Sequence, residues 1–233
     1  MRWTALAMVA AWAAPATAQE QEQEQAQAPD EIVVTAQGKP MRVDAKILRV
    51  AARRFAGDRP AYAPAGVLRF ELWRGGQRLR GDAVPLTLTD GTRTLPIAIG
   101  ADGRIAFPAI PEGRWYLQGP ASARPITLRP IVLSQGTSEA DRRLGDLRAQ
   151  CRVMVAMGKA QASLLAFPLI GMFDLAGGCA SRRFGFYYRA EQPLASAMVG
   201  TRALKLSAKA TSYEAPLSDR SLTNEARIRL SYR

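Results

Sequence analysis

The fold is decided by the stretch Asp102-Gly103-Arg104-Ile105-Ala106-Phe107-Pro108-Ala109-Ile110-Pro111-Glu112-Gly113-Arg114-Trp115-Tyr116-Leu117. Asp-Gly predicts a tight turn, because aspartate bonds the backbone just ahead of it and glycine accepts positive φ. Arg104 to Phe107 reads as a short strand. Pro111-Glu-Gly113 makes a second turn, and Arg114 to Leu117 an aromatic strand. Working outward, Leu68 to Arg74 alternates into Gly75-Gly76, Val84 to Thr89 stops at Asp90-Gly91, and Leu95 to Ile99 leads into the Asp102-Gly103 turn. Ile126 to Leu128 and Ile131 to Leu133 follow. Short strands at this spacing predict an antiparallel sandwich over residues 66–134. Pro85, Pro96, Pro108 and Pro130 restrict which strands are central, since proline gives no ladder hydrogen bond.

The sequence of D-G turn, apolar strand, P-x-G turn and aromatic strand resembles the hallmark of prealbumin-like, or carboxypeptidase-regulatory-like, sandwiches. The resemblance covers some sixteen residues. It implies a module that binds or stabilises, and it carries no catalytic residue with it. The expected fold class is mainly β (α+β): a prealbumin-like antiparallel sandwich with a disulfide-braced helical segment and C-terminal strands.

Residues 41–56 space Val43, Ile47, Val50, Ala51 and Phe55 helically, with Lys46, Arg49, Arg53 and Arg54 largely on the other side. This predicts a basic amphipathic helix stopped by Gly57, its cations solvated or lying on an anionic membrane. In residues 138–233, Ser138-Glu-Ala-Asp141 has the form of a capping box. Leu144, Leu147, Cys151, Met154 and Val155 then continue a helical stripe into an apolar run to Phe173. Cys151 and Cys179 are the only cysteines, and in an exported chain their default is to pair. Twenty-eight helical steps span about 42 Å, whereas a disulfide needs Cα atoms within about 7 Å. The run therefore has to double back, as a helical hairpin or a helix and loop. Arg182 to Tyr188, Ala203 to Ser207 and Ala226 to Tyr232 read as strands.

The N-terminus reads as an address. Arg2, the apolar run Trp3 to Ala14, Pro15 and Ala16-Thr17-Ala18 form a signal-peptide pattern over residues 1–18. Residues 19–30 make an acidic tail with too little apolar content to fold. Asp30-Glu31-Ile32-Val33-Val34-Thr35-Ala36-Gln37 then closely resembles the TonB box of outer-membrane TonB-dependent receptors. The resemblance implies that residues 31–37, chiefly Glu31, Ile32, Val33, Val34, Thr35 and Ala36, add a strand to the C-terminal domain of periplasmic TonB. At about 10 residues per membrane strand, the chain is too short for the barrel of those receptors. The same eight residues also read as an ordinary first strand.

Net charge is +12, with 27 arginines among 32 basic residues and no histidine. From residue 32 onward the chain carries 31 basic and 15 acidic residues, a net +16. Without histidine there is no Ser-His-Asp triad, Cys-His dyad or histidine metal site. Gly-rich phosphate loops and serine-nucleophile patterns are absent. Asp58, Asp82, Asp90 and Asp102 sit at turn positions, and Ser207-Ala-Lys209 reads as one face of a strand. No catalytic residue, metal ligand, cofactor or small-molecule ligand is assigned. Scattered arginines without interleaved aromatics point away from nucleic acid and toward anionic components of the envelope. The expected function is a non-catalytic periplasmic binding or accessory module, peripheral to the outer membrane and docking to TonB through residues 31–36. The alternatives are an envelope enzyme using carboxylate or Ser/Lys chemistry, and a structural envelope protein without TonB contact.

Overall fold

The deciding stretch folds around its two turns. In the structure, a computed structural model describing residues 38–80, 84–107, 109–162, 171–173, 175 and 177–233, Asp102 Oδ1 accepts the Arg104 N–H at 3.0 Å. Gly103 and Gly113 adopt φ +71° and +92°. Trp115 is buried, and its carbonyl accepts the Ala45 N–H at 2.9 Å.

In chain order the elements are β1 (Pro40–Asp44), α1 (Ala45–Tyr62), β2 (Gly66–Arg74), β3 (Gln77–Arg78), β4 (Leu86–Thr89), β5 (Thr94–Ile97), β6 (Arg104–Ile105), β7 (Tyr116–Ala121), β8 (Ile126–Ser134), β9 (Asp141–Arg143), α2 (Leu144–Gln161), β10 (Phe186–Arg189), β11 (Leu194–Val199), β12 (Arg202–Ala203), β13 (Ser212–Ala215) and β14 (Arg227–Tyr232). A 3-10 turn, Gly178–Ala180, precedes β10. The named strand pairs are antiparallel.

One sheet runs β1-β7-β4-β5; in the second, β2 pairs with β8 on one side and with β6 and β3 on the other. Together they enclose one core. Leu86, Leu88 and Leu117 from the first sheet join Phe70, Leu72 and Ile105 from the second, with Leu48 and Phe55 of α1. Pro96 and Pro130 both fall on edge strands, β5 and β8, where the missing N–H costs no internal ladder bond. The remaining strands form the β12-β11-β14-β9 sheet and the β10-β13 pair around a second core.

Helix α2 serves both cores because it carries two apolar stripes. Ala149, Val153 and Met157 face the first; Leu144, Leu147 and Cys151 face the second. Spacings of three and four residues place each stripe on one side of the helix. Cys151 and Cys179 are bonded with Cα atoms 6.1 Å apart, so the chain between them does double back. Among the described residues, no helix is long and apolar enough to cross a membrane.

Several boundaries differ from expectation. Residues 41–44 belong to β1, not to the helix, because Val43 pairs with Leu117, and the Asp44 carboxylate accepts the Lys46 N–H at 2.8 Å to cap α1. The helix then continues through Gly57, which faces open space, and ends after Pro60. Asp58 is thus helical and paired with Arg54 at 2.6 Å. Ser138 to Asp141 does not cap α2. Asp141 is drawn into β9, where it pairs with Arg227, and Arg143 becomes the N-cap without a side-chain bond. The first N–H groups of α2 instead donate to the carbonyls of Ala226 and Asn224, at 2.8 and 2.9 Å. The strand expected at Ala203 to Ser207 shortens to β12. Ser207 Oγ accepts the Ser212 N–H at 3.2 Å, making Ser207-Ala-Lys209 part of a turn rather than one strand face.

Candidate functional site

Alternation along β2 creates a site on the side of the sheet away from the sandwich core. Phe70 and Leu72 point into that core, whereas Glu71 and Trp73 point the other way. In register opposite them, Glu71 faces Arg129 of β8 and Trp73 faces Thr127. Helix α2 forms a second wall through Gln150, Met154 and Met157, and Tyr188, Tyr213 and Tyr232 of the C-terminal strands form a third. The result is a cavity of about 470 Å³, within the usual range for a small-molecule site.

The rim at β2 is braced by a buried ion cluster. Glu71 Oε1 accepts from Arg78 Nη1 at 2.8 Å and Arg104 Nε at 3.2 Å, while Oε2 accepts from Trp73 Nε1 at 3.1 Å. Glu139 pairs with the same two arginines through Oε1, and Glu191 pairs with Arg78 and Arg80. Burial raises the Glu139 carboxyl above its ordinary value; Arg78 opposes this, and the neighbouring Glu71 and Glu191 add to it. Both carboxylates that line the cavity are therefore already held by arginines outside its lining.

The cavity's own arginines are placed differently. Arg129 and Arg189 stack over the Trp73 ring, their guanidinium carbons 5.1 and 5.6 Å from its centroid. Neither makes an ion pair among the described residues. Burial, followed by the charge of Arg189, lowers the Arg129 pKa, with the Glu71 carboxylate opposing them. A Cβ on Gly76 would meet Arg189 Nη2 at 2.5 Å, so the glycine leaves the room in which that guanidinium lies.

Deeper in, Arg142 is 6% exposed and donates from Nη2 to the Val132 carbonyl at 3.0 Å and Gln150 Oε1 at 2.8 Å, with no carboxylate in ion-pair reach among the described residues. Its Nε and the hydroxyl of Tyr213, itself 1% exposed, make no hydrogen bond to the described residues. Burial pushes Tyr213 up to about 12, which keeps it a neutral donor. The Tyr188 hydroxyl, by contrast, is occupied by the Leu147 carbonyl at 2.6 Å. Buried donors normally have partners, so Arg142 Nε and the Tyr213 hydroxyl are two unsatisfied donors in the cavity wall, beside three guanidiniums that make no ion pair among the described residues.

Of the sequence-assigned residues, Glu31, Ile32, Val33, Val34, Thr35 and Ala36 lie outside the described residues, as does Asp82. Cys151 and Cys179 brace α2 to the segment that leads into β10. Arg49 of the basic helix donates to the carbonyls of Pro111 and Gly113, at 2.6 and 3.0 Å, and so fastens the P-x-G turn. Sequence reasoning missed Trp73, Arg129, Arg142, Arg189 and Tyr213, which come from five separate strands. The usable signal was the alternation in Leu68 to Trp73, which sets Glu71 and Trp73 opposite the apolar face. Among the described residues no group of three or more His, Cys, Asp or Glu side chains is placed to hold a metal. No family model, curated protein or solved structure matches the chain.

Proposed function

We propose that the chain is a non-catalytic binding module of the cell envelope, exported to the periplasm, that takes an anionic envelope component into the cavity beside Trp73. One observation carries the reading: Arg129, Arg142 and Arg189 line a single cavity and make no ion pair among the described residues, its two carboxylates, Glu71 and Glu139, being held by Arg78 and Arg104. Arginine clusters of this kind bind carboxylate or phosphate groups, and the low dielectric of a cavity strengthens the contact. The turns at Asp102-Gly103 and Pro111-Gly113 and the two-sheet core support reading residues 66–134 as a prealbumin-like sandwich carrying the site.

Native mass spectrometry of the protein released from envelope fractions without detergent tests the proposal. Wild-type chain is expected to retain a bound species of defined mass, and Arg142→Gln to lose it. Identical spectra for the two proteins contradict the reading.

Docking to TonB through residues 31–36 belongs to the same proposal and rests on the eight-residue resemblance, placed directly ahead of edge strand β1. Val33→Pro removes one strand donor, so capture by the purified periplasmic TonB domain is expected to disappear. Equal capture of mutant and wild type removes the docking arm and leaves the cavity untouched. A carboxylate enzyme is the second reading, favoured by the raised Glu139 carboxyl at the cavity wall. It predicts turnover of the bound species that Glu139→Gln abolishes.

A further inference from the structure

An apolar groove adjoins the arginine-lined cavity. The groove holds about 490 Å³ and is walled by Val155 of α2 together with Phe173 and Phe186, whose rings meet edge to face 6.0 Å apart. It shares Met154, Gly158, Tyr187 and Tyr188 with the cavity, so the two adjoin along these residues. At the junction Met154 and Tyr187 are 44% and 42% exposed, although both are large and apolar-bodied. Lys159 is the charged residue on the groove wall, and its methylene stem is compatible with apolar contact.

Cations on one side and an apolar groove on the other match a molecule built the same way. We propose that the site binds a single-chain amphipathic anion. Its carboxylate or phosphate head would lie against Arg129 and Arg189, in the part of the cavity that Arg142 and Tyr213 also line, and its acyl tail would lie in the groove past Met154. This rests on the binding reading above and names the chemical class of its ligand. The head alone gains charge-assisted hydrogen bonds but buries little apolar area, and the tail alone leaves the arginines unpaired. Each part is therefore expected to bind weakly without the other. Met154 suits an acyl chain because a methionine side chain adapts its shape to an apolar partner.

Calorimetric titration of the mature chain tests the proposal with four probes: decanoate, decyl phosphate, decanol and acetate. Decanoate and decyl phosphate are expected to bind one per chain, and decanol and acetate about tenfold more weakly or worse. Arg189 is exposed, so Arg189→Gln leaves folding unaffected; it should weaken both decyl anions about tenfold and leave decanol unchanged. Met154→Asp, on an exposed helix position, should weaken all three decyl compounds without affecting acetate. Decanol binding as tightly as decanoate, or an Arg189→Gln variant with wild-type affinity for decanoate, overturns the inference. Failure of the decyl anions with the native adduct retained defeats the amphipathic ligand while leaving the binding module standing. Loss of both defeats both.

Discussion

Arg78 shows how much of this molecule depends on single guanidiniums. Its side chain is 7% exposed and meets Glu71, Glu139 and Glu191. Removing one partner of a buried ionic cluster strands the others, at about 3–5 kcal/mol. Arg78→Met is therefore expected to lower unfolding free energy by roughly that amount in urea titration, and an unchanged midpoint would show that the cluster is not buried as described. Glu139 gives the pH signature. Its folded pKa is raised above the ordinary 4.5, so between those two values the folded chain holds more proton than the unfolded one. Its contribution to stability is then greatest below 4.5 and falls as pH climbs through the raised value. Glu139→Gln should flatten that slope, read from unfolding free energy against pH; a slope identical to wild type contradicts the assignment. None of these partners was legible in the sequence. Glu71, Arg78, Arg104 and Glu139 lie on different strands and connections, and only the folded register brings them together.

At the scale of elements, α2 is where local and tertiary forces disagree. A Cβ on Gly145 would sit 2.1 Å from the Tyr62 carbonyl, whereas one on Gly158 meets nothing within 4 Å. Alanine is favoured over glycine inside a helix by about 1 kcal/mol, but a backbone clash costs about 1–3 kcal/mol. Gly158→Ala should therefore stabilise by up to about 1 kcal/mol, and Gly145→Ala destabilise, both by urea titration. Stabilisation by Gly145→Ala would mean that the α1 end does not approach α2 so closely. The same conflict explains the helix boundaries. The stripes of α1 and α2 were readable from three- and four-residue spacing, as were the D-G and P-x-G turns. The starts were not, because β1 and β9 pair with distant β7 and β14 and take over the residues that local signals gave to helix. Strand β11, Leu194–Val199, lacks the polar and apolar alternation that marks β2.

At the scale of the whole molecule, the disulfide fastens α2 to the segment leading into β10, and so fixes two walls of the groove relative to each other. Closing a loop of 28 residues stabilises by roughly 3.6 kcal/mol in the chain-entropy model. Reduction, or Cys179→Ser, is expected to cost a comparable amount in urea and to weaken decanoate binding. Full decanoate affinity in the reduced chain would separate the brace from the site. The charge excess, read in sequence as scattered, proves spatially divided: Arg49, Arg78 and Arg148 hold carbonyls or carboxylates, whereas Arg129, Arg142 and Arg189 line the cavity, with Arg142 alone of the three tied to a carbonyl, that of Val132, among the described residues. That division is the basis of the functional account, and photo-crosslinking in cells tests it most directly. Tyr187, at the cavity mouth, is replaced by benzoylphenylalanine, with Leu95 on edge strand β5 as the remote control. The account predicts an adduct of one defined mass from position 187 and none from position 95, and the same products from both positions would contradict it.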